Sequence, residues 1–316
     1  MQEALDGKLQ EFGGEADAYR KKSEDMRMLT ALEKKRENEE AFTKDDLILL
    51  YEINRTIEGF GYQKDPRIDE LRQGRNTKED MLVIFECTRD EIAHVPSQIN
   101  ENAKAYVGQL EPGIFQKLPE NLEHVYTSFP EKKIRRENVE IGGKSAEQLI
   151  SEMEAAGINI SDYAKSMLKN REFIPGKNPE EATLIRLTVA DLGFKSNATT
   201  AEIMGTKDDV DENGNIAPFT SGRITKLGLE ICPADTGPNY RLKYQNQPLG
   251  EWIYMGMKQI TDSDGDPDVF GLERYDGGLW LYDRRAKPVH GWSPGSEFVF
   301  RLRPPSRKAT DGQASI

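Results

Sequence analysis

The sequence predicts an α+β protein with a helical N-terminal region, a small α/β middle region and an antiparallel, β-rich C-terminal domain. Three features indicate this order. Residues up to about 75 are highly charged and repeat their apolar side chains at helical spacing. Beyond them, apolar runs of strand length alternate with short helical segments, and the last third holds aromatic and β-branched runs separated by turn residues. We therefore expect regions at 1–76, 77–180 and 181–303, and a disordered tail at 304–316.

The N-terminal region, 1–76, has the pattern of amphipathic helices. Tyr19, Met26 and Leu29 recur at helical spacing, which leaves one apolar face for packing. Thr43 stands three residues before Asp46 and just ahead of an apolar run. Thr43 is therefore the expected N-cap of the next helix.

The middle region, 77–180, is predicted to be a small α/β unit. Its candidate strands are the apolar runs at 81–85, 103–107 and 122–126. Ser145 and Gln148 form a capping box ahead of one helix, and Ser161 begins another. Two prolines and a glycine at 175–179 make this segment the best domain boundary in the second half of the chain.

The C-terminal domain, 181–303, is predicted from strand-length runs and the turns between them. The candidate strands are residues 183–189, 240–244, 252–260, 268–275, 279–282 and 297–303. Asp276 and Gly277 suit a tight hairpin turn, so the expected strand order is a meander. Phe298, Phe300 and Leu302 fall on one face of the last run, which indicates a sheet with one buried side and one side in water.

Composition and charge narrow the class of protein. Apolar residues make up 36% and charged residues 31% of the chain, and no apolar run approaches the roughly 20 residues that span a bilayer. The N-terminus lacks the pattern of a secretory signal, and Cys87 and Cys232 make no disulfide framework, so a cytoplasmic protein without membrane contact is expected. A net charge of −12 disfavours nucleic-acid binding. The basic run at 132–136 is interpreted as a solvated face.

An acidic insert in the C-terminal domain is one candidate metal site. Asp209, Asp211 and Asn213 alternate ahead of a glycine, as they do in part of a calcium loop. The final position of that loop is Thr220, where a calcium loop has a bidentate glutamate. A solvated turn is therefore favoured over a metal site.

The second acidic cluster consists of Asp262, Asp264, Asp266 and Asp268. Carboxylates this close repel one another, and a divalent cation would relieve the repulsion. Asp and Gly are also the residues that a hairpin connection uses, and this interpretation is favoured. No cofactor is therefore predicted, and Ca²⁺ or Mg²⁺ is the alternative that both clusters leave open.

Aromatic residues concentrate in the C-terminal domain and are the candidate binding residues. They include Trp252, Tyr254, Trp280, Tyr282 and Trp292. On the solvent side of a sheet they would form a platform for a peptide, a sugar or a base, and the alternative is that they fill the core. Because side chains alternate along a strand, Trp252 and Tyr254 share a face, and so do Trp280 and Tyr282. The sequence does not fix whether either pair faces the core or the solvent.

Several segments resemble modules of uncharacterised bacterial proteins. The C-terminal ones are 227–234 (LGLEICPA), 247–252 (QPLGEW), 262–267 (DSDGDP), 278–281 (GLWL) and 298–300 (FVF), and the earlier ones are 44–47, 51–53, 57–62, 105–108 and 126–130. The resemblance spans most of the chain and implies a modular bacterial protein. It brings no catalytic residues, because no activity is established for the group.

Two functions follow as hypotheses. The first is a non-catalytic interaction module that presents an aromatic or acidic surface to a protein partner, since the sequence holds no complete catalytic motif. The alternative is a divalent-metal-dependent hydrolase that uses the 262–268 loop. The sequence leaves the oligomeric state open.

Overall fold

The structure is a computed structural model that describes residues 14–57, 59, 65–119, 121–206, 219, 221–275 and 277–304. The predicted tail lies outside these residues apart from Pro304, and so do Asp209, Asp211 and Asn213. The helices in these ranges are α1 (Gly14–Glu37), α2 (Lys44–Leu50), α3 (Pro66–Arg72), α4 (Thr77–Phe85), α5 (Ile114–Lys117), α6 (Ala146–Ala155), α7 (Asp162–Lys169), α8 (Thr200–Met204), α9 (Arg223–Leu227) and α10 (Thr236–Lys243). The strands are β1 (Ile92–Ala93), β2 (Ala105–Val107), β3 (His124–Ser128), β4 (Lys132–Lys133), β5 (Arg135–Ile141), β6 (Asn159–Ile160), β7 (Glu180–Thr188), β8 (Ala198–Thr199), β9 (Leu229–Glu230), β10 (Trp252–Met255), β11 (Ile260–Thr261), β12 (Pro267–Tyr275), β13 (Gly278–Arg285), β14 (Gly291–Trp292) and β15 (Glu297–Leu302).

The strands form a large mixed sheet, a smaller sheet and one isolated pair. The large sheet has the order β5-β7-β15-β10-β12-β13-β6, with β9 paired to β15 and β11 paired to β12. The smaller sheet has the order β1-β2-β3-β4, and β14 pairs with β8. With helices at the N-terminal end and strands dominating the C-terminal end, the predicted α+β class is confirmed.

Strand β15 lies in the middle of the large sheet, between β7 and β10. It runs antiparallel to β7 but parallel to β10, so only β10, β12 and β13 form the predicted meander and the sheet is not antiparallel throughout. Phe298, Val299 and Phe300 are all buried. The predicted wet side is therefore wrong for this half of the strand, because a central strand with layers on both faces carries apolar side chains at consecutive positions.

The strand predicted at 240–244 is wrong, because these residues form the second half of α10 and its C-cap. Tyr240 and Tyr244 are one helical turn apart, and their rings stack with 5.5 Å between centroids. The helix packs on the large sheet so closely that a Cβ atom at Gly237 would lie 2.9 Å from the Cβ of Phe270. Packing between elements distant in sequence overrides the local strand propensity here.

The strand predicted at 81–85 is also wrong, because this run forms the second half of α4. Asn76 caps this helix by accepting a hydrogen bond from a backbone N–H in the first turn. Met81 and Ile84 are buried while Val83 is exposed, which is the spacing of one helical face. A short apolar run does not by itself distinguish a strand from a buried helix, and the capping residue before it is the better signal.

Residues 175–179, the predicted domain boundary, are hydrogen-bonded into the body of the protein. The carbonyl of Gly176 accepts from the N–H of Gly143 at 2.8 Å, and Asp235 accepts from the N–H of Gly142 at 2.7 Å. Strand β5 pairs with β7 across this segment, and one hydrophobic core contains residues from both sides of it. Residues on both sides of position 180 therefore pair in one sheet and share one hydrophobic core.

The N-terminal helices have a hydrophobic cluster of their own. Its buried members are Leu29, Leu32, Leu50, Ile57, Ile68 and Leu71.

The predicted N-caps Thr43, Ser145 and Ser161 are confirmed, since each side chain accepts a hydrogen bond from a backbone N–H of its helix. None of the described helices is long and apolar enough to cross a bilayer.

Candidate functional site

The pairing of β10, β12 and β13 brings aromatic side chains from three strands onto one face of the large sheet. Trp252 lies opposite Glu273, and Glu273 lies opposite Trp280. Directly opposed residues of antiparallel strands point to the same side. Two positions along, Tyr254 and Tyr282 belong to the same face, because side chains alternate along a strand. The structure thus brings together the two aromatic pairs that the sequence left separate.

We call this surface the aromatic face; it consists of Trp252, Tyr254, Tyr275, Trp280 and Tyr282, with Glu273 between the two tryptophans. Its rim is open to solvent, with relative exposures of 47% for Trp252, 41% for Tyr275 and 37% for Tyr282. The ring of Tyr275 stacks on that of Trp280 with 5.3 Å between centroids. Large apolar side chains exposed together mark an interaction site more often than apolar residues scattered singly.

Trp292, predicted to bind with these residues, lies in the hydrophobic core instead. It is 2% exposed, and its indole N–H donates to the hydroxyl of Thr200 at 2.8 Å. Its ring centroid lies 4.8 Å from those of Tyr254 and Phe298. Trp292 therefore holds Tyr254 in place and does not belong to the aromatic face.

Glu273 is the polar residue of the aromatic face that sequence reasoning missed. It is only 3% exposed, and its Oε1 has no hydrogen-bond partner among the described residues. The indole N–H of Trp280, directly opposite, is also buried without a partner there. In the sequence Glu273 is one of three charged residues of β12, with Asp268 and Arg274, and which face it occupies relative to the aromatic rings depends on the register with β10 and β13.

Burial of Glu273 changes its protonation. Loss of hydration raises the pKa of this carboxyl to about 7, with the charge of Arg284 acting in the opposite direction and that of Asp283 adding to the rise. Arg284 forms no ion pair with Glu273, so the carboxylate is not neutralised by a direct partner within the described chain. The aromatic face therefore contains a buried acid that can lose a proton near neutral pH.

The side chains of the acidic 262–268 loop have separate partners. Asp262 accepts from the backbone N–H groups of Asp264 and Asp266 at 2.9 and 2.8 Å. Asp264 accepts from the hydroxyl of Tyr163 at 2.8 Å, while Asp266 forms ion pairs with Arg285 and, at 3.0 Å, with Lys287. Among the described residues no group of His, Cys, Asp or Glu side chains is arranged to hold a metal ion. These contacts are those of a turn that fixes its own backbone.

Asp268 is the buried member of the same acidic cluster. It is 3% exposed, and its Oδ1 has no hydrogen-bond partner among the described residues. Burial raises its pKa to about 7, and the negative charges of Asp262 and Asp283 add to the rise. Since Asp268 and Glu273 differ by an odd number of positions along β12, they lie on opposite faces of the sheet.

The cysteines have none of the features of activated nucleophiles. Cys232 is buried, and Cys87 is partly buried. Burial raises the pKa of both thiols, which favours the unreactive protonated form. Both cysteines therefore have the environment of structural residues.

The basic run at 132–136 is only partly a solvated face, because its residues 133–136 line a cavity of about 600 Å³. Lys132 is exposed, but Lys133, Arg135 and Arg136 are partly buried. The ammonium of Lys133 donates to the carbonyl of Ile53 at 3.3 Å, and burial together with the charge of Arg135 lowers its pKa. The cavity carries cationic and acidic side chains together, so it offers no single charge to a ligand.

Comparisons with known proteins give no guide to this site. No protein-family model matches the chain, and neither curated proteins nor solved structures give a match.

Proposed function

We propose that the protein is a non-catalytic interaction module that binds a protein partner through the aromatic face. The observation that carries the proposal is the group of solvent-exposed rings of Trp252, Tyr275 and Tyr282 around the buried Glu273. Tryptophan and tyrosine contribute most to protein interfaces, because a large rigid ring buries much area at little cost in conformational entropy. The face belongs to a sheet and not to a deep cleft, which suits a partner surface or an extended peptide.

The chemistry of the aromatic face favours binding over bond making. Its side chains act by burial, stacking and hydrogen bonding, and Glu273 and Trp280 contribute one acceptor and one donor without partners among the described residues. Such a pair gives specificity, because a ligand that leaves either group unpaired is penalised. The proposal includes a bacterial origin and a cytoplasmic location. The free thiols of Cys87 and Cys232 support the location, because disulfides are rare in a reducing compartment.

The alternative, a divalent-metal-dependent hydrolase using the 262–268 loop, has less support. The carboxylates of Asp264 and Asp266 are directed to different partners, Tyr163 on one side and Arg285 with Lys287 on the other. Within the 262–268 loop, only Asp268 keeps a buried oxygen without a partner among the described residues. A catalytic metal needs several such oxygens directed at one point.

The experiment that tests the proposed function works with a partner whose identity is not yet known. A library of random peptides displayed on phage is selected on the wild-type protein, and the enriched peptides are then tested on Trp252→Ala with Tyr282→Ala. Ile174→Ala is the matched control, because Ile174 is 74% exposed and lies outside the aromatic face. We expect the enriched peptides to lose at least about tenfold in affinity for the double variant and to keep it for the control.

The opposite result would refute the proposal. If no peptide is enriched, or if the enriched peptides bind the double variant as well as the wild type, the aromatic face is not the binding surface. Circular dichroism and thermal melting of each variant establish that the fold is retained, as expected for substitutions of exposed side chains.

A further inference from the structure

We propose that Glu273 anchors a positively charged group, so that the aromatic face selects a lysine or arginine side chain of its protein partner. This inference rests on the proposed function and adds the chemistry of what is bound. It is carried by the position of Glu273 in the sheet, by its unpaired oxygen and by the rings on either side.

The register places a negative charge between two indole rings. Trp252 and Trp280 flank Glu273 directly, one on each neighbouring strand. Side chains directly opposite each other in such a ladder are about 5 Å apart at Cβ, so a group that reaches the carboxylate also contacts both rings. A cation gains from a ring face by the cation–π interaction and from a carboxylate by a charge-assisted hydrogen bond. A site with both elements favours ammonium or guanidinium over a neutral group.

The unpaired atoms also fit a peptide. The Oε1 of Glu273 and the indole N–H of Trp280 are buried without partners among the described residues, so a bound chain reaches them once the neighbouring rings move aside. Oε1 then accepts a hydrogen bond from the cationic side chain, and the indole N–H donates one to a carbonyl of the bound chain. A buried carboxylate without a partner is costly, and a bound cation removes that cost. A lysine or arginine residue supplies the donor and the carbonyl in a single unit.

The surrounding charges do not cancel this preference. Arg284 is exposed and acts on Glu273 only at a distance, so water and salt screen its charge. Asp283 adds negative charge. The phenol of Tyr254 adds none at physiological pH, since a tyrosine is neutral there and burial raises its pKa further. The net charge of −12 also attracts a basic partner from a distance.

Binding of a cation should release a proton. The pKa of Glu273 is about 7 in the free protein, so part of the population is protonated at neutral pH. A cation binds the ionised form, and its affinity should fall about tenfold between pH 8 and pH 6, while a lysine side chain stays charged throughout. A neutral ligand that binds by stacking alone would not show this dependence.

The test uses the peptide acetyl-Gly-Lys-Gly-amide and the same peptide acetylated on the lysine side chain, with the indole N–H signals of the protein followed by NMR. We expect the charged peptide to shift the signals of Trp252 and Trp280 and to bind at least fivefold more tightly than the acetylated one. Glu273→Gln keeps the size of the side chain and removes its charge, and should abolish this difference together with the pH dependence. Glu101→Gln, at an exposed position, removes the same charge elsewhere and is the control.

The possible outcomes separate this inference from the proposed function. Equal binding of both lysine peptides, or selected phage peptides that need Trp252 but lack lysine and arginine, would overturn the cationic anchor and leave the interaction module standing. If a β-linked glucose oligosaccharide shifts the indole signals at all pH values while no peptide does, the face is a carbohydrate platform, and both proposals fail. A charged-peptide preference that survives Glu273→Gln also refutes the anchor.

Discussion

The guanidinium of Arg186 in β7 pairs with the carboxylate of Glu297 at the start of β15, with 2.7 Å between Nε and Oε1. Arg186 also forms an ion pair with Glu251 and donates to the hydroxyl of Tyr244 at 3.2 Å. Burial alone would lower the pKa of Arg186, but its hydrogen bonds and the charges of Glu297 and Glu251 raise it, so the side chain stays charged. This cluster joins β7 and β15 to the end of α10 and to the segment that enters β10.

The first prediction concerns this ion cluster. Arg186→Met would leave Glu251 and Glu297 without their common partner, and we expect it to lower the free energy of unfolding by about 3–5 kcal/mol. Arg285→Met removes an exposed arginine from its ion pair with Asp266 and should cost less than about 1 kcal/mol. Urea unfolding of both variants measures the difference, and equal losses would show that the cluster contributes no more than a surface ion pair.

The second prediction concerns pH. Asp268 and Glu273 have pKa values raised to about 7, far above those of an unfolded chain. A carboxyl with a raised pKa stabilises the folded state fully below about pH 4, and this contribution is lost as the pH rises through 7. We expect Glu273→Gln and Asp268→Asn each to raise the free energy of unfolding at pH 8 by at least about 1 kcal/mol relative to wild type.

The measurement for this second prediction is urea unfolding at pH 5 and pH 8. The two variants should show a flatter dependence on pH than the wild type, whereas Glu101→Gln should reproduce the wild-type curve. If a variant keeps the pH dependence of the wild type, the carboxyl that it replaces, Asp268 or Glu273, titrates at an ordinary pKa.

The third prediction concerns metal ions. Since Asp262, Asp264 and Asp266 already have protein partners, we expect the same melting temperature in a chelator and in millimolar Ca²⁺ or Mg²⁺. A rise of several degrees that Asp262→Asn abolishes would contradict this expectation and favour the metal-dependent hydrolase.

The fourth prediction concerns the contact between α10 and the large sheet. Gly237→Ala would place a methyl group 2.9 Å from the Cβ of Phe270, and we expect overpacking to cost about 1–3 kcal/mol. Gly295→Ala has open space around the new methyl group and is the matched control. Denaturant midpoints compare the two, and an equally stable Gly237→Ala variant would show that the helix shifts at little cost.

Local signals in the sequence succeed where a single segment determines its own structure. Thr43 and Ser145 are recognisable as caps because their hydrogen bonds are made within four residues. Strands β12 and β13 are recognisable because their composition favours strands and the tight connection between them favours a hairpin.

The features that the sequence does not reveal depend on partners distant in the chain. Tyr240 and Tyr244 have side chains that suit a strand, yet the packing of α10 on the sheet makes this segment helical. The role of Glu273 depends on its register with two other strands, because a shift of one residue would move it to the opposite face. Trp252 and Trp292 are both candidate binding residues by sequence, and only the tertiary fold buries one and exposes the other.

The central place of β15 has a consequence for how the protein is made. Strands β7 and β10 are both synthesised before residue 297, but neither pairs with the other, since β15 lies between them. A nascent chain still on the ribosome therefore carries two unpaired strand edges until residue 302 emerges, and such edges are prone to aggregation. The large sheet must close late, after β15 has left the exit tunnel.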